Sequence, residues 1–114
     1  MTDFSVSVQA TDSGSTVLDL AGELDLAGAR AMRTAGFAAL AEPGCSTLIL
    51  DVAKLTFVDS TGIGCWIELR KHARQHDQRF VLRGPSDNLT RILTMAGLAS
   101  ILDVVGHPAA EKEA

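Results

Sequence analysis

The apolar run Leu48-Ile49-Leu50-Asp51-Val52, followed closely by Thr56-Phe57-Val58-Asp59-Ser60-Thr61-Gly62-Ile63-Gly64, is the feature that most constrains how this chain folds. An apolar run that short reads as a buried strand. Asp-Ser ahead of a helix-like stretch supplies side chains of the kind that cap the first free N–H groups of a helix. A buried strand therefore leads into a helix, and the Ser60 hydroxyl stands at the helix start near solvent. Two uses of that hydroxyl stay open from the residues alone: it caps the helix, or it accepts a phosphate from a kinase.

Strand and helix signals alternate on both sides of this segment. Phe4, Val6 and Val8 alternate with Ser5 and Ser7 ahead of a turn at Asp12-Ser13-Gly14-Ser15, which predicts a hairpin whose second strand runs over 16–21. After Gly22-Glu23-Leu24-Asp25, the residues Ala29, Met32, Gly36, Phe37 and Leu40 recur at helical spacing until Pro43-Gly44, which predicts a first helix over 27–41. A third strand starts at Thr47, the helix opening at Ser60 fades near His76, and Phe80-Val81-Leu82 is a short strand closed by Gly84-Pro85. Ser86 is placed to cap a third helix carrying Leu89, Ile92, Leu93 and Ala96, with Gly97 in the left-handed stop position. Leu98, Ile101, Leu102, Val104 and Val105 are expected to pack back as a last strand or turn. The order ββαβαβα plus a short terminal element describes an α/β fold, a mixed sheet of four to five strands with crossover helices. One domain over 1–106 and a flexible C-terminal tail over 107–114 are expected.

Composition excludes several functions. A chain of 114 residues has room for one core, and 46% hydrophobic residues are enough to fill it. The net charge of −4 and the lack of Arg/Lys clusters interleaved with aromatics argue against nucleic acid. No apolar run approaches the roughly 20 residues needed to cross a bilayer. Met1-Thr2-Asp3 has no basic region or signal-like core, so a soluble, cytoplasmic protein without a membrane partner is expected. Cys45 in a Pro-Gly loop and Cys65 in a helical stretch form neither a disulfide framework nor a CxxC site, so both are expected as reduced thiols.

Two apolar arcs run along the helix after Ser60. Gly62, Cys65, Trp66, Leu69 and Ala73 share one, which reads as core. Ile63, Ile67, Arg70 and Arg74 share a neighbouring arc, where a partner could cover the isoleucines and pair with the arginines, or where the arginines snorkel over an ordinary core edge. Gly62 and Gly64 each cost about 1 kcal/mol of helix stability, which points to close backbone approach at both, serving either internal packing or a partner. Asp25 either caps the first helix or contacts a partner. Thr61 is a second hydroxyl in the first turn, read as helix-start chemistry ahead of a second phosphate acceptor.

Catalysis and metal binding find little support. Glu68, His72 and His76 form an i, i+4, i+8 line spread over about 12 Å of helix, too long to converge on one ion, so a solvated face is expected and no metal. A serine hydrolase would need a base on the hydroxyl and an oxyanion hole. There is no Gly-x-Ser-x-Gly elbow, and both histidines lie down the same helix as Ser60. Neither a phosphate loop nor a dinucleotide fingerprint is present, so no cofactor is expected, and the chain fits the substrate of a kinase better than an enzyme.

Three motifs in register carry a family resemblance: Gly-Glu-Leu-Asp at 22–25, Asp-Ser-Thr-Gly-Ile-Gly at 59–64, and Met95-Ala96-Gly97-Leu98. Together, over about residues 4–106, they resemble the STAS domain family, above all its single-domain anti-sigma-factor antagonists. The resemblance implies a STAS-type sheet and a regulator that binds an anti-sigma factor, itself a GHKL-type serine kinase, and so frees a sigma factor for transcription. It implies phosphorylation on the serine directly after the aspartate, here Ser60, and a PP2C-type phosphatase acting on the modified form. The partner surface it suggests takes in Asp25, Asp59, Ser60, Thr61, Gly62, Ile63, Ile67, Arg70 and Arg74. The chain departs from the family mainly at Cys65 and Trp66, where smaller aliphatics are usual. The rival reading within the family is a docking or regulatory subunit of a phospholipid-transport or stress-signalling complex.

Overall fold

The structure, a computed structural model, describes residues 3–10 and 13–106. Among them the chain order is β1 (Ser5–Ala10), β2 (Ser15–Leu24), α1 (Leu26–Ala41), β3 (Thr47–Val58), α2 (Ser60–Gln75), β4 (Arg79–Arg83), α3 (Asp87–Met95) and β5 (Asp103–Val105). The strands lie in the spatial order β1-β2-β3-β4-β5, with β1 antiparallel to β2 and every later neighbour parallel. This is the mixed, helix-crossover sheet that the alternating signals predicted. The expected tail over 107–114 and part of the expected turn, Asp12, lie outside the described residues.

Period-two alternation fixes which side of the sheet is core. Leu18, Leu50 and Leu82 stand in register across β2, β3 and β4 and are fully buried. They join one cluster with Met32 and Leu40 of α1, Trp66 and Leu69 of α2, and Leu89 and Leu93 of α3. Val17, Ile49 and Val81, one residue out of phase, form a row on the reverse of the sheet. Beside that row Asp51, only 6% exposed, pairs across the register with Arg83, whose Nε and Nη2 donate to its Oδ2 at 3.1 and 2.9 Å. A carboxylate inside an apolar strand is tolerable because this guanidinium and the Ala53 N–H satisfy it.

Two strands run longer than their apolar runs. The register of β2 on β3 slips between Asp19 and Ala21 and again between Gly22 and Glu23, and the pairing then continues to Leu24 and Val58. These irregularities carry both strands past the points where simple alternation ends. The third helix starts on Ser86, whose hydroxyl accepts from the Leu89 N–H at 3.1 Å, and is followed by Gly97 at φ +76, the left-handed stop its sequence predicted. The expected terminal packing is corrected in part. Leu98 and Leu102 are buried, but Ile101, just ahead of β5, and Val104, within that three-residue edge strand, face out, with no further element over them among the described residues.

Both cysteines are free thiols, Cys65 buried and Cys45 half-buried. Burial pushes the Cys65 thiol up to about 11. At pH 8 roughly one Cys65 in a thousand is then thiolate, so a disulfide reagent such as DTNB is expected to titrate Cys45 in the native chain and Cys65 only after denaturant is added. Two equally fast thiols would contradict this packing.

Candidate functional site

Parallel strands send their C-terminal ends to one edge of a sheet, and the helices that follow begin there. The last registered pair of β2 and β3 is Leu24 with Val58, and the Asp59 N–H donates to the Leu24 carbonyl at 3.1 Å. Asp25 and Asp59 therefore leave neighbouring strands side by side, each heading a helix. Asp25 Oδ1 accepts from the N–H groups of Ala27 and Gly28 at 3.1 and 3.3 Å, and Asp59 Oδ1 accepts from those of Thr61 and Gly62 at 2.9 and 3.1 Å. Two carboxylates thus sit against the partial positive ends of two adjacent helices, a favourable placement for both.

This geometry corrects one expectation. Ser60 is not the cap of α2; Asp59 is, and Ser60 is the first helical residue. Both residue types cap well, and the extended backbone of Asp59, at φ −99 and ψ −176, places its carboxylate on the two free amides. The Ser60 hydroxyl is left exposed, with no hydrogen bond to its Oγ among the described residues. Thr61 beside it is exposed as well.

The inner arc of α2 lies as predicted, with Gly62, Cys65, Trp66, Leu69 and Ala73 all buried. Trp66 is fully enclosed, and its Nε1–H has no acceptor among the described residues. The outer arc grades from half-buried Ile63, which packs on the core cluster, through Ile67, 41% exposed, to half-buried Arg70 and exposed Arg74. The two glycines divide. A Cβ on Gly62 would stand 2.7 Å from Leu24 Cγ and from Val58 Cγ2, whereas one on Gly64 would meet nothing within 4 Å. Close approach within the chain therefore holds for Gly62 and not for Gly64, which faces solvent.

Glu68 and His76 are exposed, as expected of a solvated face, while half-buried His72 lies at the seam with α1. Arg33 donates from Nε and Nη2 to the two Glu68 oxygens at 3.1 and 2.7 Å and lies 4.9 Å over the Phe37 ring. The His72 ring meets Phe37 edge-on at 5.1 Å and stacks on His76 at 4.2 Å. The hydrogen bond from Arg33 holds the Glu68 carboxyl below the ordinary carboxylate range. Among the described residues no three His, Cys, Asp or Glu side chains converge as metal ligands. His72 stands about 18 Å down the helix axis from Ser60, beyond any proton transfer.

Two exposed apolar residues next to the caps went unread in the sequence. Leu26, the first residue of α1, is 74% exposed, and Phe57, at the end of β3, is 41% exposed. They place apolar surface beside Asp25 and Asp59. The available signal for Leu26 was its place directly after a capping aspartate, where a first-turn side chain tends to point outward.

The family model described as Mlab, STAS domain, matches residues 7–105, and the chain belongs to the STAS domain family. An anti-sigma-B factor antagonist of Listeria monocytogenes is 28% identical over 102 residues, covering 90% of this chain and 89% of its own. The anti-sigma factor antagonist SpoIIAA in its unphosphorylated form superposes with a TM-score of 0.77 at 21% identity, covering 96% of this chain and 95% of its own. The Bacillus cell fate determinant SpoIIAA in its phosphorylated form gives a TM-score of 0.70 at 21% identity, covering 96% of this chain and 98% of its own. At that identity the two structures establish the shared fold. No helix among the described residues is long and apolar enough to cross a membrane.

Proposed function

We propose that this chain is an anti-sigma-factor antagonist worked by phosphorylation of Ser60. Unphosphorylated, it binds an anti-sigma factor with GHKL-type serine kinase activity and so frees a sigma factor for transcription in the cytoplasm. Phosphorylation ends that binding, and a PP2C-type phosphatase restores it. The chain itself is the kinase's substrate and performs no catalysis. The name of the Listeria relative supports the first part of this reading.

The observation that carries the switch is the exposed, unengaged Ser60 hydroxyl one residue past a cap that is already filled. A kinase reaches it without unfolding a helix, because Asp59 and not Ser60 holds the first-turn amides. A phosphate there adds about −1.5 to −2 charge beside the Asp59 carboxylate, near a helix end whose partial charge tolerates an anion. The domain stays folded while a surface packed over Ser60 meets bulk and negative charge. That surface comprises Asp25, Asp59, Ser60, Thr61, Gly62 and Ile63, continued along α2 by Ile67, Arg70 and Arg74.

Mass spectrometry of the chain after incubation with candidate serine kinases and ATP is expected to find one phosphate, on Ser60. Ser60→Ala should remove it and Thr61→Ala should leave it. Phosphate on Thr61 with Ser60 bare would overturn the assignment.

A further inference from the structure

The outer arc of α2 carries a second feature, remote from Ser60. Arg70 and Arg74, one turn apart, form the common wall of two depressions. One, of about 440 Å³, opens toward the start of β4 and the turn ahead of β5, where Ile101 is 50% exposed. The other, of about 390 Å³, opens toward Lys71 and Ile67, which is 41% exposed. Arg33, Arg79 and Arg83 each pair with a carboxylate, but Arg70, Lys71 and Arg74 meet none among the described residues. On a chain of net charge −4, this ridge concentrates uncompensated positive charge within two helical turns, with a large apolar side chain exposed on either flank.

We infer that this ridge docks an acidic, amphipathic segment of a partner protein. Its carboxylates take the two guanidinium forks, whose planar donors match a carboxylate two by two, and its apolar side chains cover Ile67 and Ile101. Charge complementarity selects a protein segment with acidic residues one turn apart. The ridge also lies out of the switch's electrical reach. Ten to fourteen residues of helix separate it from Ser60, about 15–21 Å at 1.5 Å per residue, roughly twice the Debye length of about 8 Å in physiological salt. The groove stands on its own residues. Its use by the anti-sigma factor rests on the reading above, and in that case the contact has two parts: an end at Ser60 that phosphate disrupts, and an anchor at Arg70 and Arg74 that it does not.

The test titrates the full chain with a fluorescein-labelled synthetic helical peptide carrying glutamates at i, i+4 spacing and leucines alongside, read by anisotropy and by amide NMR shifts. Saturable binding is expected, with shifts confined to 67–75, 78–80 and 100–103. Affinity should fall several-fold from about 50 to about 300 mM salt, and by about tenfold or more in Arg70→Glu/Arg74→Glu. The milder Arg70→Gln/Arg74→Gln gives the same reading if charge reversal disturbs folding. Ser60→Asp should leave peptide affinity within about twofold, since its charge is screened at that distance. No binding, shifts centred on residues 57–63, or equal affinity in the arginine variants overturns the groove. A tenfold loss in Ser60→Asp overturns its independence of the switch. Self-association of the chain through these residues, seen by sedimentation, assigns the ridge to a second copy and overturns the partner assignment. Because the peptide is not the anti-sigma factor, failure of the switch leaves these results unchanged, and failure of the groove leaves phosphorylation of Ser60 unchanged.

Discussion

A chain phosphorylated at Ser60 is expected to bind its anti-sigma factor about a hundredfold more weakly than the unmodified chain, a loss of about 2.7 kcal/mol. The magnitude follows from where the charge lands. Asp59 already holds a carboxylate on the first-turn amides of α2, so the phosphate cannot take those donors without displacing the cap. It instead projects into whatever covers the helix end, and like charge brought into a closed interface costs several kcal/mol. Ser60→Asp, with less charge and bulk, should lose about tenfold, and Ser60→Ala should bind as the native chain does. Isothermal titration with the purified partner measures all three. The folded state should hardly notice: the melting temperature of the phosphorylated chain is expected within about 4 °C of the native value, since an anion near a helix N-terminus is worth only a few tenths to about 1 kcal/mol. Equal affinity in the phosphorylated and native chains would falsify the switch, whereas a collapse in melting temperature would mean that the effect on binding is indirect.

The second large effect lies two residues further on. Gly62→Val is expected to cost about 3 kcal/mol, because its Cβ alone would come 2.7 Å from the branching carbon of Leu24 and from Val58, both buried. These residues end β2 and β3, so relief by movement would lift the start of α2 off the sheet and carry Ser60 with it. Gly62→Ala combines the same clash with the roughly 1 kcal/mol that alanine gains in a helix, and should cost about 1–2 kcal/mol. Gly64→Ala meets no neighbour and should stabilise the chain by about 0.5–1 kcal/mol. Urea unfolding of the three variants reads the contrast. Two glycines of opposite sign in one helical turn is a demanding outcome, and a destabilising Gly64→Ala would contradict the open space drawn around it.

The parts of this molecule that follow from short-range periodicity were readable in the residues. The inner arc of α2 needs only the 3.6-residue repeat, and Ser86 and Gly97 act within a few residues of themselves. What escaped depends on distant chain. The slips between β2 and β3 break the two-residue alternation after Asp51, so nothing near Phe57 in sequence signals that it faces water. Glu68 is exposed as expected, but its ion pair escaped because the partner, Arg33, is 35 residues away on another helix. At the site itself, two adjacent residues of equal capping aptitude competed for one position, and backbone torsion decided for Asp59. Composition does not encode that choice, yet it determines which oxygen is left exposed and unengaged.

The split of α2 into a buried arc and an outward one also bears on how such a chain can be re-engineered. Cys65, Trp66, Leu69 and Ala73 hold the helix, while Ile67, Arg70, Lys71 and Arg74 take almost no part in holding it. Recognition can therefore be rewritten on the second set while the architecture is left to the first. Several such chains could then present different contact surfaces on one architecture, without a new fold.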